Sequence, residues 1–406
     1  MLTKRMYPIL ATLAALSLIL AACQTTASPA TPTAPAEPLV FGMILVGPQN
    51  DHGWSQAHYD AGQYVEEKLG AKMIVIDKVN TADRPSTTPD QVAADMIAQG
   101  AQLVFFTSDD MKDGALQGVE KNPDVPMIWS SGDSAWADGK DYRADLKNLG
   151  NIMGRMEYGK MIAGCAAALT TETGSIGYLG PLINDETRRL TNSVYLGAKY
   201  CWETYRGEAA DLEFKVTWIN FWFNIPGVTL DPTQVANEFF DSGADVVVSG
   251  IDTTEGLVVA GQRADRGETV WAIPYDYKGA CDQSPNVCLG VPFFNWGPAY
   301  LKVAQAVQNG SFSATFEWNG PDWTDINNPD TSAVGFAKGP ALSADNGAKL
   351  DEFIAGLADG SINLFKGPLN YQDGSVYLKD GEVATDLQIW YMPQLLEGMV
   401  GASTSE

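Results

Sequence analysis

Six short segments of this chain crowd aromatic and acidic side chains together: 50–56 (NDHGWSQ), 107–113 (TSDDMKD), 180–186 (GPLINDE), 220–224 (NFWFN), 250–256 (GIDTTEG) and 275–279 (YDYKG). Two indole or phenyl faces about 7 Å apart can sandwich a flat heteroaromatic ring, and carboxylates beside them accept hydrogen bonds from ring N–H groups or sugar hydroxyls. Trp54, Phe221, Trp222, Phe223, Tyr275 and Tyr277 supply such faces, with Phe293, Phe294 and Trp296 further along. Interleaved with Asp, they suit a purine better than a simple hexose or a metal ion.

Other chemistries fit less well. The pairs Asp109-Asp110 and Asp185-Glu186 have the form of a hydrolase acid and base. With fifty Asp and Glu in the chain, however, adjacent pairs arise by chance and read as solvated loop. The two histidines, His52 and His58, are six residues apart. That spacing does not return to one helix face, so they and the nearby Asp51 and Asp60 are not expected to hold a metal. No GxSxG elbow, HExxH motif or P-loop is present. The expectation is a binding protein, not an enzyme, with no cofactor.

The elements that must position these segments recur with regularity. Apolar runs rich in β-branched residues at 39–46, 72–76, 102–107 and 126–130 are followed, after each of the first three, by helical spacing at 54–69, 89–99 and 112–121. A second series has helices expected over 154–169, 188–205 and 233–242 and strands over 175–179, 214–220, 244–249 and 270–275. Gly243 reads as a helix C-cap leading straight into a strand. This alternation predicts βαβ units and parallel sheets in two α/β halves of similar construction. Beyond Phe293 the pattern is mixed, with helices expected over 295–309 and 345–358 and an Asp-Gly hairpin within 370–382. Open parallel sheets bind ligands beyond the carboxyl ends of their strands, where the six segments lie.

The first 22 residues read as a leader. Lys4 and Arg5 precede an apolar stretch too short to cross ~30 Å of hydrocarbon, which needs about 20 apolar residues. It closes on Leu20-Ala21-Ala22-Cys23, a pattern similar to the lipobox of bacterial lipoproteins, so Cys23 is the expected lipidated first residue of the mature chain. Residues 23–38, dominated by Ala, Thr and Pro, read as a spacer between membrane and folded body. The remainder is too long for one ordinary core. The expected first lobe takes 39–148 and about 277–330, and the second 149–276 and about 331–406.

The formal net charge of −24, two units more negative once Lys4 and Arg5 leave with the leader, excludes a nucleic-acid partner in the absence of a basic cluster. Four cysteines besides Cys23 suit an oxidising compartment. Cys281 and Cys288 enclose a short polar segment and read as a local disulfide; Cys165 and Cys201 either pair or stay separate.

The run Asn50-Asp51-His52-Gly53-Trp54-Ser55-Gln56-Ala57, followed by Gly62, resembles the Asp-x-Ser/Gly-aromatic-Asn/Ser-Gln motif of the basic membrane protein family of ABC-transporter substrate-binding lipoproteins. The resemblance runs along nearly the whole mature chain. It includes Gly154-Arg155, Ala163-Gly164, Gly174-Ser175-Ile176-Gly177, Gly197-Ala198, Asn220-Phe221-Trp222-Phe223, Gly243-Ala244-Asp245-Val246, Asp276, Asn295-Trp296-Gly297-Pro298 and Gly367-Pro368. It implies a bilobed periplasmic-binding-protein fold of type I, with three crossovers between α/β lobes, and a purine nucleoside or free purine as ligand. Trp54 matches the aromatic that stacks on the base, with Trp222 opposing it. Ser55 stands where many members have a base-binding Asn, and Asp276 matches the aspartate that takes ribose hydroxyls. Pro274-Tyr275 replaces a frequent Gly-Val, and no lysine occurs around Phe294 to Trp296 where one is common. The chain thereby resembles the branch with Asn-Trp-Gly-Pro, in which free purines are ligands.

The expected ligand-binding set is Asp51, Trp54, Ser55, Ser108, Asp109, Trp222, Asp252, Asp276 and Trp296. The expected setting is a monomer, lipid-anchored outside the cytoplasm and serving ABC permease subunits. A ligand-sensing receptor of the same fold and an exported hydrolase are the alternatives.

Overall fold

Every pairing within the two large sheets is parallel. The computed structural model describes residues 37–207 and 212–404; the expected leader and Cys23, the expected lipidation site, lie outside the described residues. The first sheet is built from β1 (Val40–Ile44), β2 (Lys72–Ile76), β3 (Leu103–Phe106), β4 (Met127–Ser130), β5 (Leu149–Gly154) and, from much later in the chain, β11 (Phe316–Asn319), in the order β11-β5-β4-β3-β1-β2. Helices α1 (Trp54–Leu69), α2 (Pro89–Ala98) and α3 (Lys112–Lys121) connect its strands.

After α4 (Met156–Thr170) comes the second sheet. Its strands are β6 (Ser175–Gly180), β7 (Glu213–Trp218), β8 (Val246–Ser249) and β9 (Trp271–Ile273), joined by α5 (Asp185–Cys201), α6 (Pro232–Asp241) and α7 (Glu255–Ala264). The terminal β15 (Met399–Val400) completes the order β15-β7-β6-β8-β9. Between the lobes, β10 (Gly290–Phe294) and β12 (Val334–Lys338) form an antiparallel ribbon. Helix α8 (Gly297–Gln308) packs on α1, and α9 (Ala344–Asp359) on α4. The chain therefore crosses between lobes three times: through α4, after β10, and after β11.

Local chemistry sets the helix ends that matter for the cleft. The Asp51 carboxylate accepts the N–H groups of Gly53, Ser55 and Gln56 at 2.9–3.0 Å, starting α1. At α5, Asn184 and Thr187 exchange hydrogen bonds of 2.9 Å in a capping box. Helices α4 and α5 lie so close that a methyl on Gly164 would come within 1.9 Å of the Val194 carbonyl oxygen. Cys165–Cys201 ties the same two helices, and Cys281–Cys288 closes the short loop expected to carry it. The expected hairpin forms as β13 (Leu369–Asn370) and β14 (Val376–Leu378), followed by α10 (Asp386–Trp390).

The lobe boundaries differ from expectation at two points. Leu149–Gly154, expected to open the second lobe, hydrogen-bonds between β4 and β11 in the first sheet and is buried throughout. Its LGNIMG run has two glycines and an asparagine, so only pairing on both sides makes it a strand. Residues from about 277 onward, expected in the first lobe, begin instead beside the second: β10 follows β9 by isolated bridges, Ala272 to Cys288 and Asp276 to Phe293. The crossing comes between Phe293, which packs in a second-lobe core, and Phe294, which with Trp296 packs in the first.

Candidate functional site

The carboxyl ends of the two sheets meet around a cavity lined by residues of both lobes. All six aromatic and acidic segments reach it. The first lobe contributes Trp54 at the start of α1, Ser108 and Asp109 after β3, and Ser131 after β4. The second lobe contributes Tyr178 on β6, Glu186, Thr187 and Leu190 on α5, Trp222 after β7, Gly250 and Asp252 after β8, and Tyr275 after β9.

Trp54 is held from behind. Its Nε1 donates to the Thr107 carbonyl at 2.6 Å. Phe294, Trp296 and His58 meet its ring edge-to-face at centroid distances of 5.4, 5.5 and 4.8 Å. His58 in turn stacks on Trp296 at 4.3 Å, and its Nδ1 is 2.7 Å from the Tyr300 hydroxyl, which also meets Ser130 Oγ at 2.7 Å. Burial pushes the His58 pKa well down, so the ring is neutral. An indole braced in this way cannot swing aside and can present a fixed face.

The opposite wall is chemically open. Trp222 Nε1 and the Tyr275 hydroxyl are buried there without a hydrogen-bond partner, as is Ser131 Oγ on the first lobe. Such groups cost stability unless a ligand or water pairs them. Acidic groups surround them. Burial raises Asp109 to about 6, against the pull of Lys112 and Arg189, and raises Glu186 to about 7. Burial first, then repulsion from Asp276, Asp51 and Glu186, pushes Asp252 well above the usual carboxylate range. A protonated carboxyl donates and an ionised one accepts, so this wall offers both to a heterocycle edge.

Lys160 supplies positive charge behind the wall. Its Nζ donates to the Ser249 carbonyl at 2.8 Å and lies 3.1 Å from the centre of the Tyr275 ring. Burial lowers it to about 7, opposed by the attraction of Asp276. The two histidines are separated: His58 is fully buried beside Trp54, while His52 is 6.3 Å from the Tyr277 ring. Among the described residues, no group of three or more His, Cys, Asp or Glu side chains is arranged to hold a metal ion.

Residues 39–341 match the family described as ABC transporter substrate-binding protein PnrA-like, the Bmp family. The chain belongs to the PnrA-like family. Proteins of this family bind small molecules outside the cytoplasm for a membrane permease, as the resemblance in the sequence implied. A purine-binding protein of Brucella abortus is 29% identical to this PnrA-like chain over 350 residues, 86% of this chain and 89% of the relative. A protein named as an ABC transporter glucose-binding protein of Haloferax volcanii is 27% identical over 280 residues, covering 68% and 63% of the two. Among solved structures, a solute-binding protein of Aeropyrum pernix superimposes with a TM-score of 0.64 at 14% identity, over 80% of this chain and 93% of its own. One from Conexibacter woesei does so at 0.57 and 17%, over 80% and 98%. At those identities the likeness is one of fold: two α/β lobes of periplasmic-binding-protein type.

In this PnrA-like protein the expected site residues separate into two groups. Trp54, Ser108, Asp109, Trp222 and Asp252 line the cavity. Four others do not. Asp51 is engaged in capping α1, and the Ser55 hydroxyl accepts the Gly47 N–H at 3.0 Å, so both shape the loop that carries Trp54. Trp296 is a layer behind Trp54. Asp276 is fully buried at a positive φ of 71°, and Tyr275, not Asp276, faces the cavity. Conversely, Glu186 lines the cavity although its pair with Asp185 reads as solvated loop in the sequence. Tyr178, Ser131, Thr187 and Leu190 were not singled out by the sequence. Tyr178 lies within a buried strand, where an aromatic reads as core, and the other three carry no chemical signal of their own.

Proposed function

We propose that this protein captures a purine, as free base or nucleoside, between Trp54 and Trp222 and delivers it to an ABC permease. The observation that carries this reading is one cavity lined by an indole from each lobe, with unpartnered donors at Trp222 Nε1, Tyr275 and Ser131 and carboxyls at Asp109, Glu186 and Asp252. The indole faces take the flat ring, and the polar groups take its N–H and carbonyl edges. The purine-binding name of the Brucella abortus relative supports the same ligand class. In this reading the lobes close on the ligand about their three crossings, and the closed pair of lobes is what the permease meets. The mature chain is tethered at Cys23 and acts as a monomer.

Mass spectrometry of small molecules released on denaturing the purified protein tests the ligand class. A purine or nucleoside is the expected species; a hexose or an amino acid in its place would refute the assignment. The one observation that favours a hydrolase is the presence of two raised carboxyls, Asp109 and Glu186, in the same cavity. Incubation with inosine, monitored for free hypoxanthine, separates the readings. Binding without turnover is expected.

A further inference from the structure

Residues from 342 onward lie outside the span that matches the family, yet Trp390 and Tyr391, far into that stretch, join the two lobes. Downstream of them the chain is fixed to the second lobe. Arg188 Nε of α5 donates to the Met392 carbonyl at 2.7 Å, the Asn192 side-chain oxygen of the same helix accepts the Leu396 N–H at 2.9 Å, and β15 pairs with β7. Upstream, the guanidinium of Arg155, directly after β5, grips the Asp386 carboxylate with bonds of 3.0 and 2.7 Å.

Between these anchors the two aromatic side chains pack on the first lobe. Phe316 and Trp318 on β11 meet the Trp390 ring edge-to-face at 5.1 and 4.9 Å, and the Arg189 guanidinium of α5 covers it at 4.2 Å. Tyr391 is enclosed by the segment that follows β4. Its hydroxyl donates to the Asp133 carboxylate and accepts the Lys140 N–H at 2.6 Å, while Lys140 Nζ lies 4.0 Å from the centre of its ring and Trp136 stacks beside it.

These contacts stand next to the ligand space. A second chamber adjoins the cavity, sharing Asp109, Ser131 and Glu186 with it, and Asp133, Arg189, Trp390 and Tyr391 belong to its wall. Asp133 is two residues beyond the lining Ser131, and Arg189 is one turn beyond the lining Glu186. Ser131 has a φ of 70°, which a residue other than glycine keeps only where its surroundings hold it. The carboxylate that follows it is 5% exposed and held by Tyr391.

We infer that Tyr391 is a positioning residue for ligand capture: through Asp133 it holds the Ser131 turn in place and ties the first lobe to the second beside the cavity. The bond is a fourth tie between lobes that the chain itself joins three times, and opening the cleft breaks it. A hydrogen bond to a carboxylate is stronger than one between neutral groups, so its loss favours the open form. The inference goes beyond the purine reading and does not depend on it.

Small-angle scattering on protein freed of ligand by unfolding and refolding, disulfides intact, tests the tie directly. Tyr391→Phe and Asp133→Ala should each give a larger radius of gyration than the parent. Asp133→Asn, whose amide oxygen still accepts from the hydroxyl, should remain close to the parent. Stopped-flow measurement with hypoxanthine gives the second readout. Each of the first two variants should speed dissociation about tenfold, and the double variant no more than either alone. A radius unchanged in both single variants, or effects on dissociation that add fully in the double variant, would overturn the inference. Failure of hypoxanthine to bind the parent would count against the purine reading and leave scattering to decide the tie.

Discussion

Gly53 at the start of α1 faces the backbone of Asp252 in the other lobe so closely that a methyl on Gly53 would lie 1.7 Å from the Asp252 carbonyl oxygen. This approach leaves no room for a side chain at position 53. The two residues flank the cavity, one beside Trp54 and the other as part of its lining. Their approach joins the two lobes beside the cavity.

Gly53→Ala should therefore oppose closure while leaving each lobe intact. Ligand affinity is expected to fall by tenfold or more, with the unfolding midpoint of the ligand-free protein little changed. Small-angle scattering with ligand should show the variant more open than the parent. A variant that binds and compacts as the parent does would refute the role of this contact.

Trp54 and Trp296 should respond in opposite ways to removal. Trp54→Ala is expected to weaken purine binding by about 1–3 kcal/mol, the range for loss of one base–aromatic stack. Trp296→Ala, one layer behind and 3% exposed, should instead destabilise the fold by about 3–5 kcal/mol. Paired calorimetry and urea titration of the two variants check the contrast.

The acid groups of the cavity predict a pH dependence of definite sign. Asp109 rises from 3.8 to about 6 and Glu186 from 4.5 to about 7, chiefly through burial. Between the unfolded and folded values the folded chain retains protons that the unfolded chain has released. Their contribution to stability is thus fully present below the unfolded values and is lost as pH rises through the folded ones. Lys160, lowered from 10.5 to about 7, contributes a slope of opposite sign only above that value. The ligand-free protein should be more resistant to urea at about pH 5 than at about pH 7, and Glu186→Gln should flatten that difference. A Glu186→Gln profile parallel to the parent would remove Glu186 from the account.

The two disulfides should differ in weight. Cys165–Cys201 spans 36 residues and Cys281–Cys288 spans 7. On the chain-entropy relation, breaking the first by Cys165→Ser with Cys201→Ser costs about 4 kcal/mol and breaking the second about 2 kcal/mol. Guanidinium unfolding of the two double variants measures the order.

Much of the site was legible because parallel strands end where ligands bind. Each of the six aromatic and acidic segments contributes at least one lining residue, and five of the nine expected side chains face the cavity. The four that do not line it share one feature. Asp51, Ser55, Asp276 and Trp296 lie within three residues of lining positions or directly behind one, and residue type alone cannot tell the side chain that faces a cavity from the one that supports it. Asp185 and Glu186 make the same point from the other side. The first lies in the adjoining chamber and only the second reaches the aromatic cavity, because the turn of α5 aims them differently.

What the sequence determined by itself is the repeating α/β order, the two lobes, the family and the chemical character of the cleft, since these depend on periodicity and on residue types at strand ends. Tertiary structure alone decided which carboxyls face the ligand space, that Leu149–Gly154 belongs to the first sheet, and that Tyr391 reaches Asp133 across 258 positions. Such contacts join residues far apart in the chain, and they arise only when the strands and lobes are packed together.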